Sequence, residues 1–272
     1  MKKVAMLTIT AILCGILLSG CSFVVNGINE AKDTVVPITL ADDYKTISLS
    51  QQDSTEVKTI VFDNISFNGD NDGIVIKIVR AENPRVDATY STELDNYDFD
   101  VAFSDGEIKI SVDKQRSFIT KKFILTVYAN FDEIRVEGGI PLSVDAAGIS
   151  DFSLDVSGAV EANVYGLNVK SASIDVKGAG DVEISGAAEN FTLSIAGAGE
   201  IDGRELLCEN ASIEISGAGE ADISVTDTLN VKISGAGEVE YYGSPSVTNN
   251  SAGAAEVKQK SPETYVSRGS DI

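Results

Sequence analysis

Residues 215–220 read ISGAGE, and residues 233–238 repeat the same six letters. Related turns read SGAVE at 157–161, KGAGD at 177–181, AGAGE at 196–200 and AGAAE at 252–256. The first glycines of these six turns are 20, 19, 20, 18 and 18 residues apart. Such even spacing is typical of a repeat protein, in which each unit packs mainly on its neighbours.

The residues around each turn alternate between apolar and polar. Aliphatic side chains stand four and two positions before the first glycine, as in Leu193 with Ile195 and Ile213 with Ile215. Alternation with period two predicts strands that bury one face. Each repeat is therefore predicted to contain a strand, a tight turn, a second strand and a variable return loop. We expect glycine in the turn because it tolerates positive φ.

A single unit of this length buries too little apolar surface to offset the entropy lost on ordering it. Stacking the units pairs each strand with the next repeat and joins the apolar faces into one core. The predicted fold class is all-β, with a parallel β-helix of about 19-residue coils over residues 138–260. A polar tail follows at residues 261–272.

Residues 57–137 are β-rich but lack the glycine-alanine period. The alternating runs predict strands at 59–67, 73–80, 85–90, 97–103, 107–112, 122–129 and 133–137. Ser104-Asp105-Gly106 predicts a hairpin turn. Two interpretations stay open, namely a separate small domain or degenerate first coils that close the end of the solenoid.

The first 20 residues predict a signal peptide, because Lys2 and Lys3 precede an uncharged apolar run that extends to Leu18. The run ends in LSGC at residues 18–21, which resembles a bacterial lipobox with Cys21 as the lipid acceptor. A transmembrane anchor is the alternative, but the run is short for a span. We therefore expect an exported chain anchored to the cell membrane or envelope through Cys21. Residues 21–56 are then a tether, with a short strand near residues 44–49.

Composition excludes several classes of function. The chain of 272 residues has a net charge of −21, which disfavours nucleic acid as a partner. It contains no histidine, and no recognised catalytic motif occurs, so we predict no enzyme and no catalytic residues. Once Cys14 is cleaved and Cys21 is lipidated, only Cys208 remains, and we expect it to be a buried structural thiol.

Acidic residues recur at fixed places after each turn. Three positions after the first glycine lie Glu161, Asp181, Glu200, Glu220, Glu238 and Glu256, and five positions after it lie Glu183, Asp202, Asp222 and Glu240. Stacked coils are about 4.8 Å apart, so these carboxylates should form two columns on one outer face. We expect a solvated face that resists aggregation. The alternative is a cation face that binds Ca²⁺ or a basic ligand, and no other cofactor is expected.

A basic cluster stands out in this acidic chain. It comprises Lys114, Arg116, Lys121 and Lys122, around Phe118. The simpler interpretation is an exposed loop between two strands. The alternative is a patch that docks an anionic glycan, a wall polymer or a lipid headgroup.

Residues 57–258 resemble the bacterial envelope family described as putative auto-transporter adhesin, head GIN domain. The resemblance lies in the repeated ISGAGE turn and in the preceding FDEIRV at residues 131–136. Val160 and Ala255 depart from the pattern at the second glycine of the turn. The resemblance implies a right-handed β-helix and a role in adhesion, and it transfers no catalytic residue.

Three functions follow from these features. The first is a non-enzymatic surface protein that adheres to, or binds, a glycan or an envelope protein. The second is a structural or sensory scaffold of the envelope. The third is a polysaccharide-active enzyme, for which the irregular coil around Arg204 is the place to search.

Overall fold

A computed structural model describes residues 38–39, 43–50, 56–67, 73–252 and 254–261, and within these it describes only the backbone of Ile38 and of residues 113–116. Four parts of the chain lie outside these residues. They are the predicted signal peptide, Cys21, most of the predicted tether and all of the tail beyond Ser261. Within the described part, no helix combines the length and the apolar character that crossing a bilayer requires.

The repeat region forms a parallel β-solenoid of about six turns. Its strands are β10 Asp151–Val156, β11 Ala159–Val176, β12 Ala179–Ile195, β13 Ala198–Ile215, β14 Ala218–Ile233, β15 Ala236–Tyr242, β16 Ser246–Asn249 and β17 Ala254–Lys260. Each coil pairs in parallel with the next one, so that Ala179 aligns with Ala198 and Ala218. The return segments that we expected to be loops are also paired strand over most of their length.

The interior of the solenoid is a continuous apolar column. Val176, Ile195, Ile215 and Ile233 align across successive coils and are at most 1% exposed. They belong to one hydrophobic cluster that extends from Val57 to Val239. Burial of these aliphatic rows supplies the driving force that no single coil could provide.

The first glycine of each turn has a different role from the expected one. None of Gly158, Gly178, Gly197, Gly217 and Gly235 has a positive φ. A Cβ atom at any of them would lie 1.8–2.0 Å from the carbonyl oxygen of the equivalent glycine one coil earlier. Glycine is required because successive backbones approach closely at this corner, and not because of the backbone conformation.

A second corner absorbs the differences in coil length. The strand register shifts between Val164 and Leu167 in β11, and between Gly203 and Leu207 in β13. Gly166 and Gly186 have positive φ at this corner. Coils can differ in length here because the extra residues bulge at the corner, while the strands before and after it stay in register.

The N-terminal half contains β1 Ile38–Thr39, β2 Tyr44–Ser50, β3 Thr59–Phe67, β4 Ile74–Arg80, β5 Arg85–Ser91, β6 Asp100–Ser104, β7 Glu107–Ile119, β8 Phe123–Ala129 and β9 Glu133–Asp145. The strands predicted at 59–67, 73–80, 85–90 and 122–129 correspond closely to β3, β4, β5 and β8. β2 lies where the short strand was expected. The predicted hairpin joins β6 to β7, and Asp105 and Gly106 both have positive φ, as its tight turn requires.

Two features of this half differ from the expectation. A 3₁₀ helix at Thr92–Tyr97 stands where no helix was expected, and its Leu94 is buried. Strand β7 continues to Ile119 although the sequence predicted its end at residue 112. The stretch 113–119 is therefore strand and not loop.

The N-terminal strands continue the solenoid rather than stand beside it. β3 pairs in parallel with β7 on one side and with β9 on the other. β9 crosses the boundary expected at residues 137–138 without a break, and it pairs onward with β10 and β11. Antiparallel strands cover the first coil, because β6 pairs with β7 and β5 pairs with β8.

The close backbone approach at the turn gives a stability prediction. Gly197→Ala places a Cβ 1.9 Å from the carbonyl oxygen of Gly178, and we expect it to lower the free energy of unfolding by about 2–3 kcal/mol. Gly199→Ala, two residues away, places its Cβ no closer than 3.3 Å to any atom and should cost much less. Denaturant unfolding of both variants measures the difference, and equal losses would contradict this role for the first glycine.

Candidate functional site

One outer face of the solenoid is built from three neighbouring columns, because alternate residues of a strand point the same way. The alanine column consists of Ala159, Ala179, Ala198, Ala218, Ala236 and Ala254, all exposed. The first acidic column follows two residues later and runs from Glu161 to Glu256 in register. The second acidic column, Glu183, Asp202, Asp222 and Glu240, lies beside it between Asn163 and Lys258.

A groove of about 460 Å³ runs over the alanine column; we call it the alanine groove. Its floor consists of Ala159, Ala179 and Ala198 with the backbone of Gly180 and Gly199. The first three members of the first acidic column, Glu161, Asp181 and Glu200, form one wall, and Phe67, Gly139, Ile140 and Pro141 lie at the N-terminal end. The groove exists because the turn carries the smallest side chains of the repeat beside longer acidic ones.

The first acidic column is neutralised only near its C-terminal end. Lys258 Nζ lies 2.7 Å from Glu238 Oε1 and 2.8 Å from Glu256 Oε2. The hydrogen bond from Lys258 lowers the pKa of Glu238 and raises that of the lysine. In the described part of the chain, no lysine or arginine lies within ion-pair distance of the four carboxylates from Glu161 to Glu220. The acidic stretch of the column therefore borders the alanine groove.

The second acidic column is interrupted by cations. Arg204, which the corner insertion places beside this column, forms an ion pair with Asp202, and its Nε lies 3.5 Å from Asp222 Oδ2. Lys260 Nζ lies 2.6 Å from Glu240 Oε1. The irregular coil thus holds a charge network that links Arg204 to Asp202 and Asp222.

Asp222 is the most perturbed carboxyl group of this face. Partial burial, together with the negative charge of Glu240, raises its pKa to about 6, although Arg204 opposes the shift. The folded state consequently holds a proton on Asp222 at a pH where the unfolded chain would have released it.

Among the described residues, no three or more acidic, cysteine or histidine side chains converge in a geometry that could hold a metal ion. The two columns run in parallel along the solenoid, so neighbouring carboxylates lie side by side instead of surrounding a point. Binding of Ca²⁺ to Glu161, Asp181, Glu200, Glu220, Glu238 or Glu256 stays a prediction.

The structure describes only part of the predicted basic cluster. Phe118 is fully buried and cannot be the centre of a surface patch. Lys121 and Lys122 are exposed in the short turn between β7 and β8. Lys114 and Arg116 belong to β7, and their side chains lie outside the described part. Ile119 and Ile124, on either side of the turn, are 41% and 36% exposed.

The cysteine within the described residues is a buried free thiol. Cys208 is fully buried, and this burial raises the pKa of its thiol to about 12. A thiol with such a pKa is almost entirely protonated at neutral pH and is a poor nucleophile. The expectation of a structural thiol is confirmed.

A second groove of about 570 Å³ lies on another face. Ala187 and Ala188 form part of its floor, with Lys170 and Glu209 among the residues that line it. Leu207, which also lines it, is 55% exposed. This groove has no repeated pattern, because it lies beside the corner where the coils differ in length.

Sequence reasoning found the acidic columns but missed the alanine groove beside them. The alignment of the alanines was visible in the repeat, yet their exposure depends on which way each strand faces after the turn. Lys260 was also missed as a partner of Glu240, because its role appears only when β17 stacks on β15.

The raised pKa of Asp222 gives a testable pH dependence. Because the folded-state pKa of about 6 exceeds the ordinary value of 3.8, this group destabilises the fold progressively as the pH rises from about 4 to about 6. Asp222→Asn should therefore make the protein more stable at pH 7 by about 1 kcal/mol, after allowance for solvent screening. The gain should vanish below about pH 4.

Denaturant unfolding at several pH values measures this effect. Glu200→Gln, at an exposed position of the first acidic column, controls for the general loss of one negative charge. A pH-independent difference between Asp222→Asn and the unsubstituted protein would contradict the prediction.

Comparison with solved structures confirms the all-β solenoid. A protein from Bacteroides fragilis, described as a "putative adhesin", superposes with a TM-score of 0.69 at 18% identity, over 82% of this chain and 100% of its own. A protein from Parabacteroides distasonis, described as a "putative lipid binding protein", superposes with a TM-score of 0.63 at 15% identity, over 83% of this chain and 100% of its own. No curated protein matches the chain in sequence.

Residues 61–245 match one protein family, whose description is putative auto-transporter adhesin, head GIN domain. The matched segment includes β4 to β15 and most of β3, and thus covers most of the N-terminal strands and the solenoid as far as β15. The ISGAGE turns at residues 215–220 and 233–238 both lie within it. The chain therefore belongs to this head GIN domain family.

Proposed function

We propose that the protein is a non-catalytic, lipid-anchored adhesion protein of the bacterial envelope. In this proposal it binds an extended polymer along the alanine groove. The supporting observation is the groove itself, which follows the solenoid axis with a repeated floor of alanine and glycine and a repeated wall of carboxylates. A polymer with a regular repeat can make the same contact on each coil, so that weak contacts add up along its length.

The chemistry of the groove favours a ligand that donates hydrogen bonds. When ionised, the carboxylates of Glu161, Asp181 and Glu200 accept hydrogen bonds but donate none, and they repel anionic polymers. The alanine methyl groups offer a flat apolar floor without bulky side chains. A neutral or cationic glycan with many hydroxyl or amino donors fits this combination best.

Two observations support a non-catalytic role. The most perturbed carboxyl group of the face, Asp222, lies in the second acidic column next to Arg204 and is not among the residues that line the groove. The residues that do line it repeat from coil to coil, whereas a catalytic pair is expected to differ from the repeat around it.

Binding along the groove can be tested by filling it. Ala179→Gln with Ala198→Gln places two longer side chains on the exposed floor without disturbing the buried core. We expect this double variant to lose affinity for its glycan by about tenfold or more, with unchanged unfolding free energy. A glycan array probed with the chain from Ser22 onward identifies the ligand, and titration of that glycan measures the loss.

A matched control places the same side chains elsewhere. Thr192→Gln with Ser212→Gln alters two exposed, aligned positions on a different face and should leave binding unchanged. Lipid vesicles belong in the same screen, since a structural relative is described as lipid binding. If no glycan binds, or if both double variants bind equally well, the adhesive role of the groove is refuted and the scaffold interpretation is favoured.

Anchoring is tested separately. Replacement of Cys21 by serine removes the thiol that would carry the lipid, and we expect the protein to move from the detergent phase to the aqueous phase in phase separation. Metabolic labelling with a fatty acid should mark the unsubstituted chain and not the Cys21→Ser variant. Retention of the variant in the detergent phase would favour the transmembrane alternative.

A further inference from the structure

The strands at the two ends of the solenoid are covered to different extents. At the N-terminal end, β7 is covered by β1 and β6, and β8 is covered by β5. At the other end, β17 is the last strand of the described chain. Among the described residues it pairs only with β15, so one row of its backbone N–H and C=O groups faces outward along the axis.

An edge strand of this kind is a template for pairing with another strand. β16, the other strand near this end, pairs with β14 and lies one coil further back. β17 therefore projects beyond β16 and can approach another molecule without obstruction from it.

The sequence of β17 is complementary to itself in charge. It reads AAEVKQK over Ala254–Lys260, with Val257 at its centre. When two copies pair antiparallel around Val257, Glu256 of each copy lies opposite Lys258 of the other. Opposite charges at directly facing positions stabilise an antiparallel pair, whereas like charges destabilise it.

The apolar side of β17 fits the same arrangement. Val257 aligns with Val239, which is fully buried, and is itself only partly covered by the core. A two-fold rotation around an axis perpendicular to the sheet keeps the core-facing side of both strands on the same side. The interior column of one solenoid then continues through Val257 into the partner.

Charge at this end also permits the approach of two acidic molecules. Over most of its length the first acidic column has no ion-pair partner among the described residues and would repel a second copy. At the end, Lys258 contacts Glu238 and Glu256, and Lys260 contacts Glu240. The last coil is therefore the least acidic part of this face.

We propose that the protein forms a symmetric homodimer in which the β17 edges of two copies pair antiparallel around Val257. The partner is a second copy of this chain, and the contact is isologous, as in most two-fold dimers. The inference does not depend on the adhesive function proposed above. The contact uses the C-terminal edge of both copies, whereas the alanine groove begins near the N-terminal end of the solenoid, so each groove stays accessible.

The pairing is tested by charge reversal and by mixing. Lys258→Glu places like charges opposite each other in its own dimer, and so does Glu256→Lys. Each variant alone should dimerise about tenfold more weakly than the unsubstituted chain. In an equimolar mixture the two variants restore both opposite-charge pairs, and the heterodimer should return to nearly the original affinity.

Sedimentation velocity of the chain from Ser22 to Ile272, which keeps every described residue, measures the dimerisation constant in about 0.15 M salt. A single seven-residue strand is a small contact, so affinities on the order of micromolar or weaker are expected, and concentrations up to several hundred micromolar are required. The control is Glu214→Lys. This variant disrupts the ion pair with Lys232 on another face and should leave the dimer unchanged.

A second control concerns the chain beyond the described residues. Truncation after Ser261 removes residues 262–272 and should leave dimerisation intact. A monomer at all concentrations overturns the proposal, and so does a mixture of the two reversed variants that fails to dimerise. A dimer that forms only after truncation also overturns it, because the edge would then be occupied by the chain's own tail.

Discussion

The structure depends on the close, in-register approach of one coil to the next at the glycine corner. At Gly178, Gly197 and Gly217 the backbones of neighbouring coils come so near that no Cβ can be accommodated. This contact fixes the alignment of each coil, because a slip of one residue would place a larger side chain there and turn the strands inside out. The buried aliphatic rows and the exposed acidic columns both follow from that alignment.

The same constraint explains why one face is regular and another is not. Residues just after the glycine corner keep their register over all the coils, so alanines and carboxylates form unbroken columns there. The second corner lies farther from the constraint and absorbs insertions, including the one that carries Arg204. A repeated ligand can therefore be matched only on the first face, whereas the groove near Leu207 is irregular.

Electrostatics divides the acidic face into two parts. Stacked carboxylates repel one another only weakly in water, so a bare column from Glu161 to Glu220 is tolerated on an exposed surface. Toward the C-terminal end, Arg204, Lys258 and Lys260 neutralise the columns. The bare part borders the alanine groove and the neutralised part leads to the β17 edge, so the two proposed contacts lie in different electrostatic environments.

The sequence alone determined the all-β class, the solenoid, most of its strands and the register of the acidic columns, because each is encoded by a local period of two inside a repeat of about 19 residues. The tertiary structure decided the features that depend on contacts between distant segments of the chain. It placed β3 between β7 and β9, buried Phe118, opened the groove over Ala179 and Ala198, and left the outer edge of β17 without a partner strand among the described residues. These features depend on contacts between residues far apart in the chain, which no local pattern records.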